Sequence, residues 1–117
     1  MTALDESVLD RLRPQIGAEH VERLIELFRE NVRTRLEEIV QAFDAGDRRG
    51  LAVAFHSIKG SAQLVGARRL ESVSAHWEET SRLGEIDSVD AAVAQISEAF
   101  AAVERVLEAT RTDSFRG

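Results

Sequence analysis

A histidine and a lysine lie one helical turn apart in a stretch that has the pattern of a buried helix. Its apolar residues recur at three- and four-residue steps, which is typical of a helix with one inward face; they are Leu51, Ala54, Phe55, Ile58 and Ala62. His56 falls outside that stripe, so we expect its imidazole to be at least partly exposed. Lys59 follows one turn later, where its ammonium can offset negative charge on a group attached to the ring. Alone, each residue would be interpreted as an ordinary solvated side chain.

Gly60, four residues after His56, makes the pattern less ordinary. Glycine inside a helix costs about 1 kcal/mol relative to alanine, and here it removes a side chain beside the imidazole. The alternative is an early helix end, but the apolar pattern continues through Ala62 and Val65. We therefore interpret Gly60 as clearance for the surface of another protein. The predicted docking residues on this helix are Ala52, Val53, Gly60, Ser61 and Gln63.

The chain resembles the histidine-containing phosphotransfer (HPt) family in residues 54–67, which read AFHSIKGSAQLVGA, and in Leu70 and Glu78 beyond them. The family signature is a histidine, any residue, Leu or Ile, then Lys, Gly and Ser or Thr. A Gly-Ala pair follows one turn later, and the next helix carries a leucine and an acidic or amide residue. The match is specific in both residue type and spacing.

This resemblance implies a role for each matching residue. His56 would be the phosphorylated residue, Lys59 the cation on the phosphate side and Gly60 the clearance position. Glu78 would be the hydrogen-bond partner that orients the imidazole. Such a carboxylate on one ring nitrogen fixes the tautomer and leaves the other nitrogen free as a nucleophile.

The resemblance also implies a function and partners. The chain would be a phosphohistidine carrier in a two-component phosphorelay, accepting phosphate from a receiver-domain aspartate or a kinase and passing it to another receiver. Its partners would be response-regulator receiver domains and a sensor or hybrid histidine kinase. We expect the chain to be a monomer. We also expect it to bind no cofactor or metal of its own, because the resemblance implies that Mg²⁺ is held by the receiver. The chain would then be an intermediate without kinase activity rather than an enzyme.

Two further histidines are not given a functional role. Residues 55–60 and 75–78 are also similar to the phosphoacceptor domain of chemotaxis histidine kinases. In those domains a second histidine lies three residues before the acidic residue, where this chain has Ala75. His76 is turned by about 100° around the helix from that position. We interpret His76 and His20 as ordinary helix residues.

Five segments with helical periodicity must position these residues. We predict helices over 5–13, 18–45, 47–66, 67–83 and 88–110, with Pro14 ending the first and Asp87 capping the last. On the fourth helix Leu70, Val73 and Trp77 are predicted to point inward. Short connections favour antiparallel neighbours. The predicted fold is all-α, an antiparallel up-and-down four-helix bundle with a short additional N-terminal helix.

Length and composition limit the alternatives. The 117 residues suit a single domain, 1–117, with a core over about 18–110. A net charge of −6 and a pI near 5.1 disfavour nucleic-acid binding. The absence of cysteine excludes disulfides and thiolate zinc sites. No apolar run approaches the roughly 20 residues of a membrane span, so we expect no membrane association and a cytoplasmic location.

A helical bundle could also serve three other functions. An autonomous histidine kinase would need ATP-binding motifs, and a carboxylate-bridged metal enzyme would need paired Glu-x-x-His motifs; the sequence has neither. The alternative left open is a helical adaptor whose degenerate site no longer accepts phosphate.

The pairs Arg48-Arg49 and Arg68-Arg69 are mostly expected to be solvated, although some of these arginines would favour docking to an acidic partner.

Overall fold

The computed structural model describes residues 2–116, and the side chains of residues 2–110. This part of the chain forms five α-helices and no strand, which confirms the predicted all-α class. Their bounds are α1 Glu6–Ile16, α2 Ala18–Asp44, α3 Arg48–Val65, α4 Arg68–Arg82 and α5 Asp90–Arg116. In the same described residues, no helix is both long enough and apolar enough to cross a membrane.

Helix α3 lies at the centre of the helical bundle. It packs against α2 on one side and α4 on the other, while α5 packs on α4 and α2, and α1 rests on α2 and α3. The predicted inward stripe of α3 is buried, with Phe55 and Ile58 fully enclosed. Burial of a side chain of this size contributes about 1.5–3 kcal/mol. Because the stripe fixes the rotation of α3 about its axis, the opposite face, with His56, must face solvent.

The inward face of α4 differs from the predicted one. Leu70 is buried as predicted, but Val73 and Trp77 are only half-buried. Trp77 is turned towards α5, where its Nε1–H donates a hydrogen bond of 2.9 Å to Gln95 Oε1. Polar residues occupy most of the buried positions, because Glu78 of α4 pairs with α3 and the small serines beside it allow close approach of the two helices. The buried residues of α4 are Leu70, Ser74, Glu78 and Ser81.

The prediction that Pro14 ends the first helix was wrong. Helix α1 continues to Ile16, with Pro14 inside its last turn. Proline lacks the backbone N–H that would bond the carbonyl of Asp10, so the helix continues past it with one hydrogen bond fewer near its C-terminal end. Gly17 then closes the helix, since its N–H donates to the Arg13 carbonyl over 2.9 Å.

The start of the last helix was also predicted wrongly. Helix α5 begins at Asp90, two residues later than predicted, and it continues to Arg116. The Ser88 hydroxyl, not Asp87, accepts the hydrogen bond from the Asp90 N–H, at 3.2 Å. Serine and aspartate are both favourable near helix starts, so the sequence alone did not distinguish these neighbouring positions.

The turn between α3 and α4 holds the N-terminal segment in place. Gly66 ends α3 in the left-handed conformation, with φ of 84°, which glycine adopts without the penalty that a Cβ imposes. Its carbonyl accepts a hydrogen bond of 2.8 Å from the Asp5 N–H. A Cβ at Gly66 would lie only 2.7 Å from the Asp5 carbonyl oxygen and 2.9 Å from Val8 Cγ2. This position therefore requires glycine for two independent reasons.

We predict that Gly66→Ala destabilises the chain more than Gly46→Ala. Both glycines have positive φ, but a Cβ at Gly46 meets no atom within 4 Å. Gly46→Ala should cost about 1–2 kcal/mol from backbone strain alone, and Gly66→Ala about 1–3 kcal/mol more from overpacking against Asp5 and Val8. Urea unfolding of the two variants measures the difference. Equal losses would show that close approach of the N-terminal segment adds nothing.

Candidate functional site

The imidazole of His56 is exposed to solvent, and one of its nitrogens is held by a carboxylate. Its side chain is 62% exposed, and its Nδ1 lies 2.9 Å from Glu78 Oε2. A carboxylate can only accept a hydrogen bond, so in the neutral ring this contact assigns the proton to Nδ1. The lone pair is then on Nε2. A ring in this state is a nucleophile whose orientation is already fixed.

Glu78 forms ion pairs with two further side chains. Its Oε1 lies 2.8 Å from Lys59 Nζ, and its Oε2 lies 2.7 Å from Arg82 Nη2. The carboxylate itself is buried, with only 3% of its side chain exposed. Two donors come from α3 and one from α4, so the cluster joins these helices. Arg82 was not predicted from the sequence, although it follows Glu78 by four residues, a spacing that brings two side chains together on a helix.

Glu78 remains ionised despite its burial. Burial raises the pKa of this carboxyl group, but the hydrogen bonds from Lys59 and His56 and their charges lower it by more, so that the pKa falls below its ordinary value. The negative charge next to the imidazole is therefore present at neutral pH.

Lys59 is part of this ion cluster and does not extend freely into solvent. Only 30% of its side chain is exposed, because the ammonium is paired with Glu78. An ammonium has three N–H donors. It can therefore keep its contact with Glu78 and still donate to a second anion near the ring.

Four of the five predicted docking residues lie on the same side of α3 as His56. Val53 is 58% exposed, Gln63 and Gly60 are exposed, and Ala52 is half-buried. A Cβ built on Gly60 meets no atom within 4 Å. The surface beside the imidazole is thus open at Gly60, and the helix continues through this residue to Val65.

Ser61 lies apart from the other four. Five residues after His56, it is turned by about 140° around the helix. Its Oγ accepts a hydrogen bond of 2.6 Å from Asn31 Nδ2, and the same amide lies 3.2 Å from Ser57 Oγ. Arg35 Nε in turn donates to Asn31 Oδ1 over 3.0 Å. Ser61 thus joins α3 to α2. Asn31 was not predicted from the sequence, because a single amide in an amphipathic helix gives no recognisable pattern.

A surface depression lies directly beside His56. The described residues that line it are Arg48, Arg49, Ala52, Val53, His56 and Arg82, and none of them carries a carboxylate.

The other two histidines lie elsewhere: His20 is exposed near the start of α2, and the ring of His76 packs edge-on against Trp77 with centroids 5.0 Å apart. Among the described residues, no group of three or more His, Cys, Asp or Glu side chains could hold a metal ion.

A helical bundle with an exposed histidine that is oriented by a buried carboxylate has the features of a phosphotransfer module. The Hpt domain family model matches residues 23–109. The crystal structure of histidine-containing phosphotransfer protein B from Pseudomonas aeruginosa PAO1 is similar over 95% of this chain and 96% of that chain, with 29% sequence identity and a TM-score of 0.84. No curated protein matches the sequence.

The chain belongs to the Hpt domain family. It is accordingly a phosphohistidine carrier in a phosphorelay, as the sequence predicted. Hpt domains are phosphotransfer carriers and not kinases, and they interact with kinases and receiver domains in these relays.

We predict that the ion cluster makes stability depend on pH through Glu78. Folding lowers the pKa of Glu78, so its ionised form stabilises the folded chain at neutral pH. This contribution is lost as the pH falls below the ordinary range of a glutamate and through the lowered folded value. Glu78→Gln should therefore be less stable than wild type by about 1–2 kcal/mol at pH 7, and the gap should narrow as the pH falls below about 5.

Chemical unfolding at a series of pH values measures this gap. The matched control is Glu79→Gln, which alters the neighbouring, exposed glutamate of α4. Its unfolding free energy should follow that of wild type. A gap between wild type and Glu78→Gln that stays constant from pH 7 to pH 3 would contradict the linkage.

Proposed function

We propose that His56 is the residue that carries the phosphoryl group. It would accept this group from the aspartyl phosphate of a receiver domain, or from a kinase, and pass it to another receiver. The observation that carries this assignment is the pairing of His56 Nδ1 with the buried Glu78 at 2.9 Å while the side chain remains 62% exposed. The free nitrogen, Nε2, is then the atom on which a partner can place phosphate.

The proposed reaction is an in-line displacement. The lone pair of Nε2 forms a bond to phosphorus as the bond from phosphorus to the aspartate oxygen breaks, and the aspartate leaves as a carboxylate. The ring keeps its proton on Nδ1 and gains positive charge as the new bond forms. The carboxylate of Glu78, already hydrogen-bonded at that position, stabilises this charge without rearranging. Lys59 offsets charge on the transferred phosphoryl oxygens.

In this proposal the receiver contributes the remaining chemistry. Phosphoryl transfer depends mainly on positioning and charge stabilisation. The receiver would hold the Mg²⁺, and this chain would bind no metal or cofactor of its own. This chain acts as a substrate and carrier. The rate of phosphoryl transfer is therefore a property of each pair of proteins and not of this chain alone.

We also propose how the helices that carry the docking surface are arranged. Helices α2 to α5 would form an antiparallel up-and-down bundle to which α1 is added, within a single domain of residues 1–117 and in a monomer. Support for the antiparallel order comes from the short connections, residues 45–47, 66–67 and 83–89. The docking surface would include Ala52, Val53, Gly60 and Gln63, which lie beside His56, whereas Ser61 would contribute by holding α3 on α2.

We predict that His56→Gln abolishes phosphate acceptance while the melting temperature stays close to that of wild type. The side chain is 62% exposed, and the glutamine amide again offers an N–H donor to Glu78, so the loss of stability should stay below about 1 kcal/mol. The measurement is incubation with a panel of phosphorylated receiver domains, followed by detection of acid-labile, base-stable label on the chain.

The matched control for this measurement is His76→Gln, which removes another exposed histidine. It should be labelled like wild type. Label that persists on His56→Gln would overturn the assignment. A wild-type chain that no receiver or kinase labels would favour the adaptor with a degenerate site.

We predict that Gly60→Gln folds normally but transfers phosphate slowly. A Cβ at Gly60 meets nothing within 4 Å, and a residue other than glycine is favoured in mid-helix by up to about 1 kcal/mol. The long side chain would stand where a receiver must approach, and a misplacement of about 1 Å can cost on the order of 100-fold in rate. Thermal unfolding and receiver-to-chain transfer are measured in parallel.

Gly60→Ala is the control, because it tests the backbone with a minimal side chain. It should be more stable than wild type by several tenths of a kcal/mol, in line with the propensity difference of about 1 kcal/mol, and it should retain most of the transfer rate. Normal transfer by Gly60→Gln would rule out the clearance role. Loss of folding in both variants would show that the backbone itself requires glycine.

A further inference from the structure

Two adjacent arginines beside His56 have no acidic partner. The chain has a net charge of −6, and carboxylates are available to pair with most of its cations. Within the described residues, however, neither Arg48 nor Arg49 forms an ion pair. Seven of the other described arginines are ion-paired: Arg13 with Asp10, Arg23 with Glu26, Arg29 with Glu104, Arg35 with Glu38, Arg68 with Asp5 and Glu71, Arg69 with Glu98, and Arg82 with Glu78. Arg11, Arg33 and Arg105 also form no ion pair among the described residues, but none of these three lines the depression with His56.

These two arginines line the depression that contains His56, together with Arg82. We call the three side chains the arginine rim. Arg82 is paired with Glu78 but remains 59% exposed, so its charge also faces the solvent above the site. Ala52 and Val53 provide the apolar part of the lining. A partner that reaches the imidazole through this depression therefore meets positive charge at its edge.

The positions of Arg48 and Arg49 are unfavourable for the stability of the helix. They are the first two residues of α3, whose first turn contains no acidic residue. The N-terminus of a helix carries partial positive charge, so cations there are destabilising and anions stabilising. Asp47 already caps this end, since its Oδ1 accepts a hydrogen bond of 2.9 Å from the Gly50 N–H. Arg48 lies against Gly84, whereas Arg49 makes no polar contact in the described structure.

A second exposed surface differs from this one in its chemistry. Between α2 and α3 a depression is lined mainly by apolar residues, and Leu27 and Leu64 in it are 46% and 55% exposed. His56 does not line that depression. The reacting residue shares its depression with the arginines and not with the exposed leucines.

We propose that the arginine rim selects the partner of this chain: a receiver domain whose docking face places carboxylates against Arg48 and Arg49. The inference rests on the proposed function, because it assumes that His56 meets a receiver. Opposite charges speed the encounter of two proteins and disfavour partners of the wrong charge. The rim acts on docking, while Glu78 and Lys59 act on the transfer step.

The test is charge reversal at the rim, with Arg49→Glu and the double variant Arg48→Glu/Arg49→Glu. The probe is a phosphorylated receiver domain that labels the wild-type chain, followed by rapid-quench measurement over a range of receiver concentration and salt. At low salt the second-order rate of transfer should fall about tenfold in the double variant. The deficit should shrink above about 0.5 M salt. The rate at saturating receiver should stay within about twofold of wild type.

The melting temperature distinguishes a docking role of Arg49 from a structural role, because only a structural role predicts that substitution lowers it. A glutamate in the first turn of α3 is favoured by the helix dipole, so the melting temperature of Arg49→Glu should equal or exceed that of wild type, by up to a few degrees. Arg49→Gln removes the charge without reversing it and should give a smaller loss of rate. A lower melting temperature in both variants would show that Arg49 serves the fold, and would overturn the proposal.

The matched control is Arg105→Glu, which makes the same charge change at an exposed position of α5. Helix α5 packs on α4 and α2 and, in its described part, not on α3. Its transfer rates should be those of wild type. The inference alone fails if Arg49→Glu and the double variant transfer as fast as Arg105→Glu at every salt concentration. If instead the wild-type chain is labelled by no receiver, the proposed function fails and the inference with it.

Discussion

The buried carboxylate of Glu78 is the interaction on which the site and its helices depend. An unpaired charge in this position would cost several kcal/mol, so α4 can bury it only where donors from α3 are within reach. Lys59 and His56 supply them at 2.8 and 2.9 Å. The register between the two helices is thereby restricted. Ser74 and Ser81, fully buried on the same face of α4, are small enough to let the helices approach.

The faces of α3 divide structural and chemical roles. One face is apolar and buried, a second is hydrogen-bonded to α2 through Asn31 and Ser61, and the face with His56 is open. On that open face local stability is reduced, since Gly60 has low helix propensity and Arg48 and Arg49 oppose the helix dipole. Sites of recognition often depart from the rules that favour stability. The helix can accept these departures because its buried stripe and the two polar clusters hold it independently.

The sequence alone determined the all-α class, the family, and the rotation of α3. Its apolar stripe has regular spacing and is uninterrupted from Leu51 to Val65, so periodicity identified the buried face and, with it, the exposure of His56. Residue types at fixed spacing within one helix, such as His56, Lys59 and Gly60, can be interpreted without knowledge of distant contacts. The pairing of Glu78 with His56 was expected only through resemblance to the family.

Only the tertiary structure decided which polar residues are buried and which partners satisfy them. Val73 and Trp77 were predicted to be the inward residues of α4, yet the more deeply buried positions are polar. Hydropathy treats a serine or a glutamate as a surface residue. The burial of Glu78 becomes favourable only when a neighbouring helix supplies donors, whereas the buried hydroxyls of Ser74 and Ser81 have no hydrogen-bond partner in the described structure. The ion pair of Lys59, the participation of Arg82 and the contact of Asn31 with Ser61 all depend on the position of the adjacent helix or on the rotamer chosen there. A one-dimensional pattern contains no such distances, because the partners are brought together by the packing of the whole bundle.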